Sequence, residues 1–179
     1  MRRDLSLFWR LLIFRLIISF LKQSIAHADE FWQALEPAYV LVYGKGQVPY
    51  DWVIGLRSYF SIFPYIFGML LAKSIGKLAD VVSTEYSHYF LGVEDFILWN
   101  WHKIVAAFIA ATMDLYAVKI ARRYFGWPRC YDRWVLFALM GNAAWFVYSV
   151  RIFSNNLEGM FSLVALYMWP LTAKEQTTR

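Results

Sequence analysis

Apolar residues along the chain are gathered into long runs that polar stretches separate. The runs cover residues 5–21, 59–72, 96–118, 134–150 and 157–171. A helix that crosses a bilayer needs roughly 20 mainly apolar residues, and most of these runs come close to that length. The pattern therefore predicts an all-α, polytopic membrane protein with about four to five membrane helices.

The polar stretches organise the chain as a single membrane module. We expect a first span at residues 1–21, a loop with an amphipathic helix at 22–57, further spans and short loops at 58–171, and a polar tail at 172–179. The loop after the first span is a sizeable polar interruption and contains Gly and Pro, which punctuate regular structure. It is therefore the first place to look for functional groups.

Positive charge predicts the sidedness of this module only in part. With the N-terminus in the cytosol, the 22–57 loop is lumenal, and Lys73 and Lys77 return to the cytosol, as the positive-inside rule prefers. The same count of crossings places the basic connection at residues 119–133 in the lumen, against that rule. Either this connection violates the rule locally, or one of the apolar runs is re-entrant.

Composition supports a membrane protein and argues against two other classes. Of the 179 residues, 60% are hydrophobic, 20% aromatic and only 17% charged, whereas about one quarter of the residues in soluble domains are charged. The net charge of +5 comes from basic clusters beside apolar runs, which is typical of topology signals, and no nucleic-acid-binding motif accompanies it. The single cysteine, Cys130, excludes an intramolecular disulfide.

The strongest local signal is an acidic segment in the loop after the first span. At 100° per residue, Asp29, Gln33 and Glu36 fall on one helical face with Glu30 on its flank, and apolar residues line the adjoining face. The helix is expected to end at Pro37. The carboxylates are either solvated charges on an anchoring helix or a base that acts on a substrate at the membrane surface.

Two further segments carry candidate binding groups. Trp52 is suited to stacking or to interfacial anchoring, and Arg57, where the loop meets the second run, is suited to a lipid phosphate or a headgroup. Arg151, Asn155 and Glu158 follow one another at helical spacing, so we expect them on one helical face, with an ion pair between the arginine and the glutamate as the simplest interpretation.

Ionisable residues also occur inside the apolar runs. Arg15 lies in the first run, where it either faces protein or snorkels, and His102, Lys103 and Asp114 lie in the third. Asp114 is costly there unless it faces a partner or a cavity, and its sequence neighbours do not identify that partner.

Five segments together resemble the N-terminal part of a known enzyme family, the dolichyl-phosphate-mannose-dependent mannosyltransferases of the GT-C superfamily, glycosyltransferase family 22. The segments are residues 27–36, 44–52, 56–59, 114–116 and 151–158. They follow one another in the family's order, and among its members they look most like the third mannosyltransferase of glycosylphosphatidylinositol (GPI) anchor assembly. Members of the family are several times longer, so the chain looks like their N-terminal module.

This resemblance implies an activity and a location. Such enzymes transfer mannose from dolichyl phosphate mannose to a lipid-linked glycan in the endoplasmic reticulum membrane, with the active site facing the lumen. The expected partners are therefore the lipid-linked donor, a glycolipid acceptor and the membrane. We expect no nucleic acid, no cofactor and no metal.

The resemblance also assigns roles to the residues singled out above. Asp29 and Glu30 are the expected catalytic residues, with Asp29 as the base and Glu30 or Glu36 orienting the acceptor. Arg57 is expected to balance phosphate charge. The expected substrate-binding residues are Gln33, Glu36, Trp52, Arg57, Arg151, Asn155 and Glu158.

Two alternatives stay open at this point. A related family 22 α-mannosyltransferase of N-glycan precursor assembly would share the acidic residues. A truncated, non-catalytic membrane protein would use the same carboxylates only as interface charges. The second alternative predicts that Asp29→Asn leaves function unchanged, whereas either enzyme predicts near-complete loss.

Overall fold

A computed structural model describes residues 2–22, 30–81 and 84–169. Within these ranges every regular element is helical, which confirms the predicted all-α class. The α-helices are α1 (Arg2–Leu21), α2 (Glu36–Tyr43), α3 (Tyr50–Val53), α4 (Phe63–Val81), α5 (Thr84–Tyr124), α6 (Asp132–Gly141), α7 (Ala143–Tyr148) and α8 (Ser154–Met168). A π-helical turn at Phe31–Leu35 leads directly into α2, and short 3₁₀ turns occupy Tyr59–Ser61 and Arg129–Tyr131.

The helix α5 contains the third apolar run and continues well beyond it. It has 41 residues, which corresponds to about 60 Å at the rise of roughly 1.5 Å per residue. Its part Ser87–Tyr124 is long and apolar enough to cross a membrane, and no other helix in the described ranges passes the same test of length and composition. The number of crossings, expected as four to five, therefore stays a prediction.

The described part of the acidic segment, residues 30–36, has a helical backbone, but the prediction that the helix ends at Pro37 is wrong. Pro37 lies in the first turn of α2, and the helical backbone runs through it. Proline cannot donate to the carbonyl four residues earlier, and its ring crowds that carbonyl. The π-helical turn just before it changes the hydrogen-bond register, since the amide of Glu36 donates to the carbonyl of Phe31, five residues back. The widened turn thus accommodates the proline inside the helix.

The fourth apolar run, expected as one span, is divided by a helix cap. Asn142 separates α6 from α7, because its backbone is extended and its side chain accepts a hydrogen bond from the amide of Trp145 at 3.1 Å. The apolar pattern does not show this interruption, since asparagine is a single polar position between two apolar segments.

Contacts divide the chain into two compact units. Unit 1 comprises Met1–Ile18, Ala107–Arg151 and Asn155–Arg179, and unit 2 comprises Ser19–Ala106 and Ile152–Ser154. Both α1 and α5 therefore contribute residues to each unit.

Unit 1 contains a buried ion pair between a charged residue of the first apolar run and one of the third. Arg15 and Asp114 are fully buried, and the guanidinium donates to both carboxylate oxygens at 2.7 and 2.9 Å. Asp114 Oδ1 also accepts from Trp145 Nε1 at 2.8 Å, and Arg15 Nη1 donates to the carbonyl of Phe146 at 3.3 Å. Arg15 therefore faces protein, and the partner of Asp114 is identified.

Unit 2 is built around α2 and α4, which share an apolar core. The buried residues of that core are Ala34, Ala38, Val42, Trp52, Ile62, Tyr65, Met69 and Ile152. The helix α5 packs against α4 where Trp101 lies over Gly68, and Trp101 Nε1 donates to the carbonyl of Pro64 at 2.8 Å. A Cβ at Gly68 would fall 2.1 Å from the indole, so only glycine permits this approach.

Candidate functional site

The candidate site is a cavity inside unit 2 with a volume of about 630 Å³. The residue after α1, the π-helical turn, α2, α4 and α5 all contribute to its wall, together with one residue near the start of α8. The lining residues are Lys22, Glu30, Phe31, Leu35, Glu36, Tyr39, Met69, Leu98, Trp99, His102, Lys103 and Ile152. The wall is mostly apolar and aromatic, with a few charged groups, which is typical of ligand cavities.

Glu30 is a buried acid of this cavity. It is only 1% exposed, and its Oε2 lies 2.5 Å from the ammonium of Lys22. A carboxylate this deeply buried requires a charged or hydrogen-bonding partner, because removing it from water is costly. The ion pair holds both side chains at the cavity wall. One of the two predicted catalytic residues is therefore part of the cavity, whereas Asp29 lies outside the described residues.

Among the described residues, Glu36 is the other predicted site residue that lines the cavity. Its Oε1 accepts a hydrogen bond from the amide of Gln47 at 2.9 Å, which ties the loop after α2 back onto that helix. Gly46, in the same loop, has φ +116°, and a Cβ there would lie 2.3 Å from Glu36 Oε1. Glycine is required on both counts. The loop that contains Gly46 thus positions a carboxylate.

Two residues of α5 add nitrogen-containing side chains to the cavity wall. His102 and Lys103 both line the cavity wall. The Nδ1 atom of His102 is buried and has no hydrogen-bond partner in the described ranges. Lys103 Nζ donates to Asn100 Oδ1 at 3.1 Å and lies 5.3 Å from the centre of the Phe20 ring. Sequence reasoning noticed both residues inside an apolar run but assigned neither to the site.

Three predicted binding residues of the loop do not line the cavity. Gln33 lies half-buried in the π-helical turn. Trp52 is 6% exposed, belongs to the apolar core and packs against Tyr59, with ring centres 5.3 Å apart. Arg57 is paired with Asp51 at 3.5 Å, and both side chains are partly exposed. The roles assigned to these residues stay predictions.

The segment that holds Arg151, Asn155 and Glu158 differs from the expected single helical face. The helix α8 begins only at Ser154, so Arg151 lies in the turn before it. All three belong to unit 1, with Arg151 buried and the other two exposed. The described residues contain no ion pair at Glu158, so the predicted pair with Arg151 does not form.

A residue that sequence reasoning passed over explains the geometry of this turn. Asn156 Nδ2 donates to the carbonyls of Tyr148 and Arg151 at 2.7 and 2.8 Å, and to that of Ser149 at 3.4 Å. One amide side chain therefore satisfies backbone acceptors that the end of α7 leaves open. In the sequence, the only sign of this role is that Asn156 follows Ser154 and Asn155 as a further polar residue.

The described residues contain no group of three or more His, Cys, Asp or Glu side chains that could hold a metal ion. Within the cavity, the side chains instead offer carboxylates, ammonium groups, one imidazole and aromatic surface. Such a set can bind a polar or anionic group at one end of a ligand and apolar surface at the other. The expectation of no cofactor stays a prediction.

A mostly apolar cavity with a few charged groups is typical of a ligand site, and ionisable residues in apolar helices often mark functional positions. Comparison with known families makes the class specific. Residues 6–179 match the Alg9-like mannosyltransferase family, and the chain belongs to that family. This confirms the family that the sequence motifs resemble.

Individual relatives carry one recurrent name. GPI mannosyltransferase 3 of Aspergillus fumigatus is 35% identical over 161 residues, which cover 88% of this chain and 20% of that protein. The protein of the same name from Candida albicans is 34% identical over 169 residues, 94% of this chain and 31% of its own length. The one from Drosophila melanogaster is 29% identical over 163 residues, 91% of this chain and 25% of its own length.

The chain spans between 20% and 31% of the length of these three relatives. No solved structure matches it.

Proposed function

We propose that this chain forms part of an enzyme that transfers mannose from dolichyl phosphate mannose to a lipid-linked glycan, adding the third, α-1,2-linked mannose of the GPI anchor precursor. The observation that carries the proposal is the family match over residues 6–179, together with the repeated name of the relatives. The buried Glu30 in an amphipathic cavity supports it, because a lipid-linked sugar needs both apolar surface and polar groups.

The chemistry asks for one base and a stabilised leaving group. In an inverting transfer, a hydroxyl oxygen of the acceptor forms the bond to mannose C1 while the bond from C1 to the phosphate oxygen breaks. The base takes the hydroxyl proton, and dolichyl phosphate leaves as an anion. Because the phosphate leaves already charged, no strong acid is required.

The contacts of the acidic segment suggest how these roles are divided. Lys22 occupies one carboxylate oxygen of Glu30, so Glu30 is better suited to hold the site in place and to orient the acceptor. Asp29, its neighbour in the sequence, is the proposed base. Glu36 lines the same cavity and is proposed to bind acceptor hydroxyl groups. We place the site on the lumenal side of the endoplasmic reticulum membrane.

The test is complementation with a chimera. Residues 1–179 replace the aligned segment of GPI mannosyltransferase 3 from Candida albicans, and the chimera is expressed in cells that lack this enzyme. The lipid-linked intermediates that accumulate are then scored. We expect rescue by the unaltered chimera, and a loss of roughly 10²- to 10⁴-fold in transfer rate for Asp29→Asn, the range typical for removal of a general base.

A matched control separates the site from general charge effects. Asp95 is an exposed acid of α5, so Asp95→Asn should leave transfer unchanged. If the unaltered chimera is well expressed but leaves a two-mannose intermediate in place, the GPI assignment is wrong. Restoration of N-glycan precursors in cells that lack the corresponding family 22 enzyme of that pathway would then identify the related activity. Full transfer by Asp29→Asn would refute the base assignment and favour a non-catalytic role for the carboxylates.

A further inference from the structure

Lys103 has an unusual environment for a lysine in an apolar helix. It lies half-buried in α5, and its ammonium contacts two neutral groups, the Asn100 amide oxygen at 3.1 Å and the face of the Phe20 ring. Within the described ranges it forms no ion pair. A half-buried cation without a counter-charge is costly, and in membrane helices such residues generally mark functional sites.

The acids of the cavity are engaged elsewhere. The carboxylate of Glu30 is paired with Lys22 at 2.5 Å, and Glu36 Oε1 accepts the amide of Gln47. Lys103 lines the same cavity and forms no ion pair with either of these acids. The buried Nδ1 of His102, one residue earlier on α5, lacks a hydrogen-bond partner among the described residues and adds a second unused polar group to this wall.

The remainder of the wall is apolar and aromatic. Leu35 and Phe31 from the π-helical turn, Met69 from α4, and Leu98 and Trp99 from α5 line the same space. A ligand that satisfies both parts of the wall carries an anionic group at one end and hydrocarbon at the other. A lipid phosphate has this chemistry, whereas a free sugar or a soluble anion uses only part of the wall.

We propose that the ammonium of Lys103 binds the phosphate of a lipid-linked substrate inside this cavity. This assigns phosphate recognition to α5, whereas the sequence favoured Arg57, which is paired with Asp51 and does not line the cavity. The inference rests on the proposed function only for the identity of the substrate. The phosphate belongs either to the polyprenyl donor or to the glycolipid acceptor.

Binding tests the proposal without requiring mannose transfer. The full 179-residue chain is purified in detergent, and its dissociation constants for farnesyl phosphate, short-chain phosphatidylinositol and uncharged farnesol are measured for the parent, Lys103→Gln and Lys103→Arg. We expect Lys103→Gln to raise the dissociation constant of one of the two phosphate ligands about tenfold or more, because it removes a charge-assisted hydrogen bond. Lys103→Arg should retain most of the affinity, and farnesol binding should not change.

Two controls keep the result interpretable. Lys77 is an exposed lysine of α4, so Lys77→Gln removes the same charge away from the cavity and should have no effect. Melting temperatures show whether each variant is folded, and if Lys103→Gln does not fold, Lys103→Met provides a second neutral variant. A selective loss for farnesyl phosphate identifies the donor phosphate, and a selective loss for phosphatidylinositol identifies the acceptor phosphate.

The proposal is overturned if neutral variants bind both phosphate ligands as the parent does, or if farnesol binding falls equally. Failure of the mannosyltransferase assignment would look different. The chimera would then not complement, while farnesyl phosphate binding would still depend on Lys103.

Discussion

Asp114→Ala should destabilise the chain strongly, because this substitution leaves the fully buried guanidinium of Arg15 without its counter-charge. Arg15 donates to both oxygens of Asp114, and Trp145 Nε1 donates to one of them. Truncating one partner of a buried ion pair typically costs about 3–5 kcal/mol. The orphaned indole N–H of Trp145 adds to that cost. For a chain of this size, such a loss corresponds to a decrease in Tm of roughly 10 °C.

The assay is thermal unfolding of the purified chain in detergent, followed by the intrinsic fluorescence of its tryptophans. The matched control is Asp51→Ala, which breaks the partly exposed pair with Arg57 at 3.5 Å. Exposed pairs contribute about 1 kcal/mol or less, so this control should melt close to the parent. The contrast between the two alanine variants measures the effect of burial on an ion pair.

A double-mutant cycle decides whether the cost comes from the pair itself. Arg15→Met combined with Asp114→Leu removes both charges and retains much of the volume, so the double variant should be less destabilised than the sum of the two single variants by more than about 1 kcal/mol. Additive losses would mean that Arg15 and Asp114 do not interact in the folded chain. The reasoning about the packing of unit 1 would then be wrong.

Three further outcomes are expected. Gly46→Ala should lower Tm, because an alanine forced to a positive φ costs about 1–2 kcal/mol and its Cβ would meet the carboxylate of Glu36. Gly92→Ala should raise Tm slightly, because a Cβ at this position of α5 has open space around it. The pKa of Tyr43 is raised, mainly because the phenol is buried and also because it forms a hydrogen bond with Glu94. The folded state therefore favours the neutral phenol, so the stability that it adds is present below about pH 10 and is lost at higher pH. When chemical denaturation is measured at a series of pH values, the free energy of unfolding of Tyr43→Phe should not show this loss at alkaline pH. Cys130 is exposed, and a membrane-impermeant maleimide should label it in sealed vesicles whose cytosolic face is outward; labelling only after detergent would place it in the lumen.

Helix positions were largely predictable because helix formation follows local periodicity. The first apolar run coincides with α1, and the last falls mostly within α8. The errors occur where a single residue changes the backbone in a way that composition does not reveal. Pro37 is accommodated by a π-helical turn, and Asn142 divides the fourth run through a side-chain cap. Both depend on which hydrogen bonds neighbouring residues make, so periodicity alone does not predict them.

The candidate site was predictable only in part, because partners distant in sequence decide what a charged residue does. The acidic motif pointed to Glu30 and Glu36, and both of these residues line the cavity. Lys22, just after the first apolar run, was missed, and Lys103 was noticed but not assigned to the site, although a lysine inside an apolar run is itself a signal. The pairing of Arg57 with Asp51 became evident only in the structure, and the role assigned to Arg57 stays a prediction.

Contacts in unit 2 also bear on the sidedness that the charge pattern left open. Lys73 donates to the carbonyl of Val42, and the Tyr43 hydroxyl donates to Glu94 at 2.9 Å. The end of α2 therefore lies beside residues of α4 and α5 that the count of crossings assigned to the opposite side of the bilayer. A hydrocarbon core of roughly 30 Å does not fit between hydrogen-bonded groups. The alternative in which the second apolar run is re-entrant removes this conflict, and it also returns the basic connection at 119–133 to the cytosol, where the positive-inside rule favours it. The expected labelling of Cys130 follows from that arrangement.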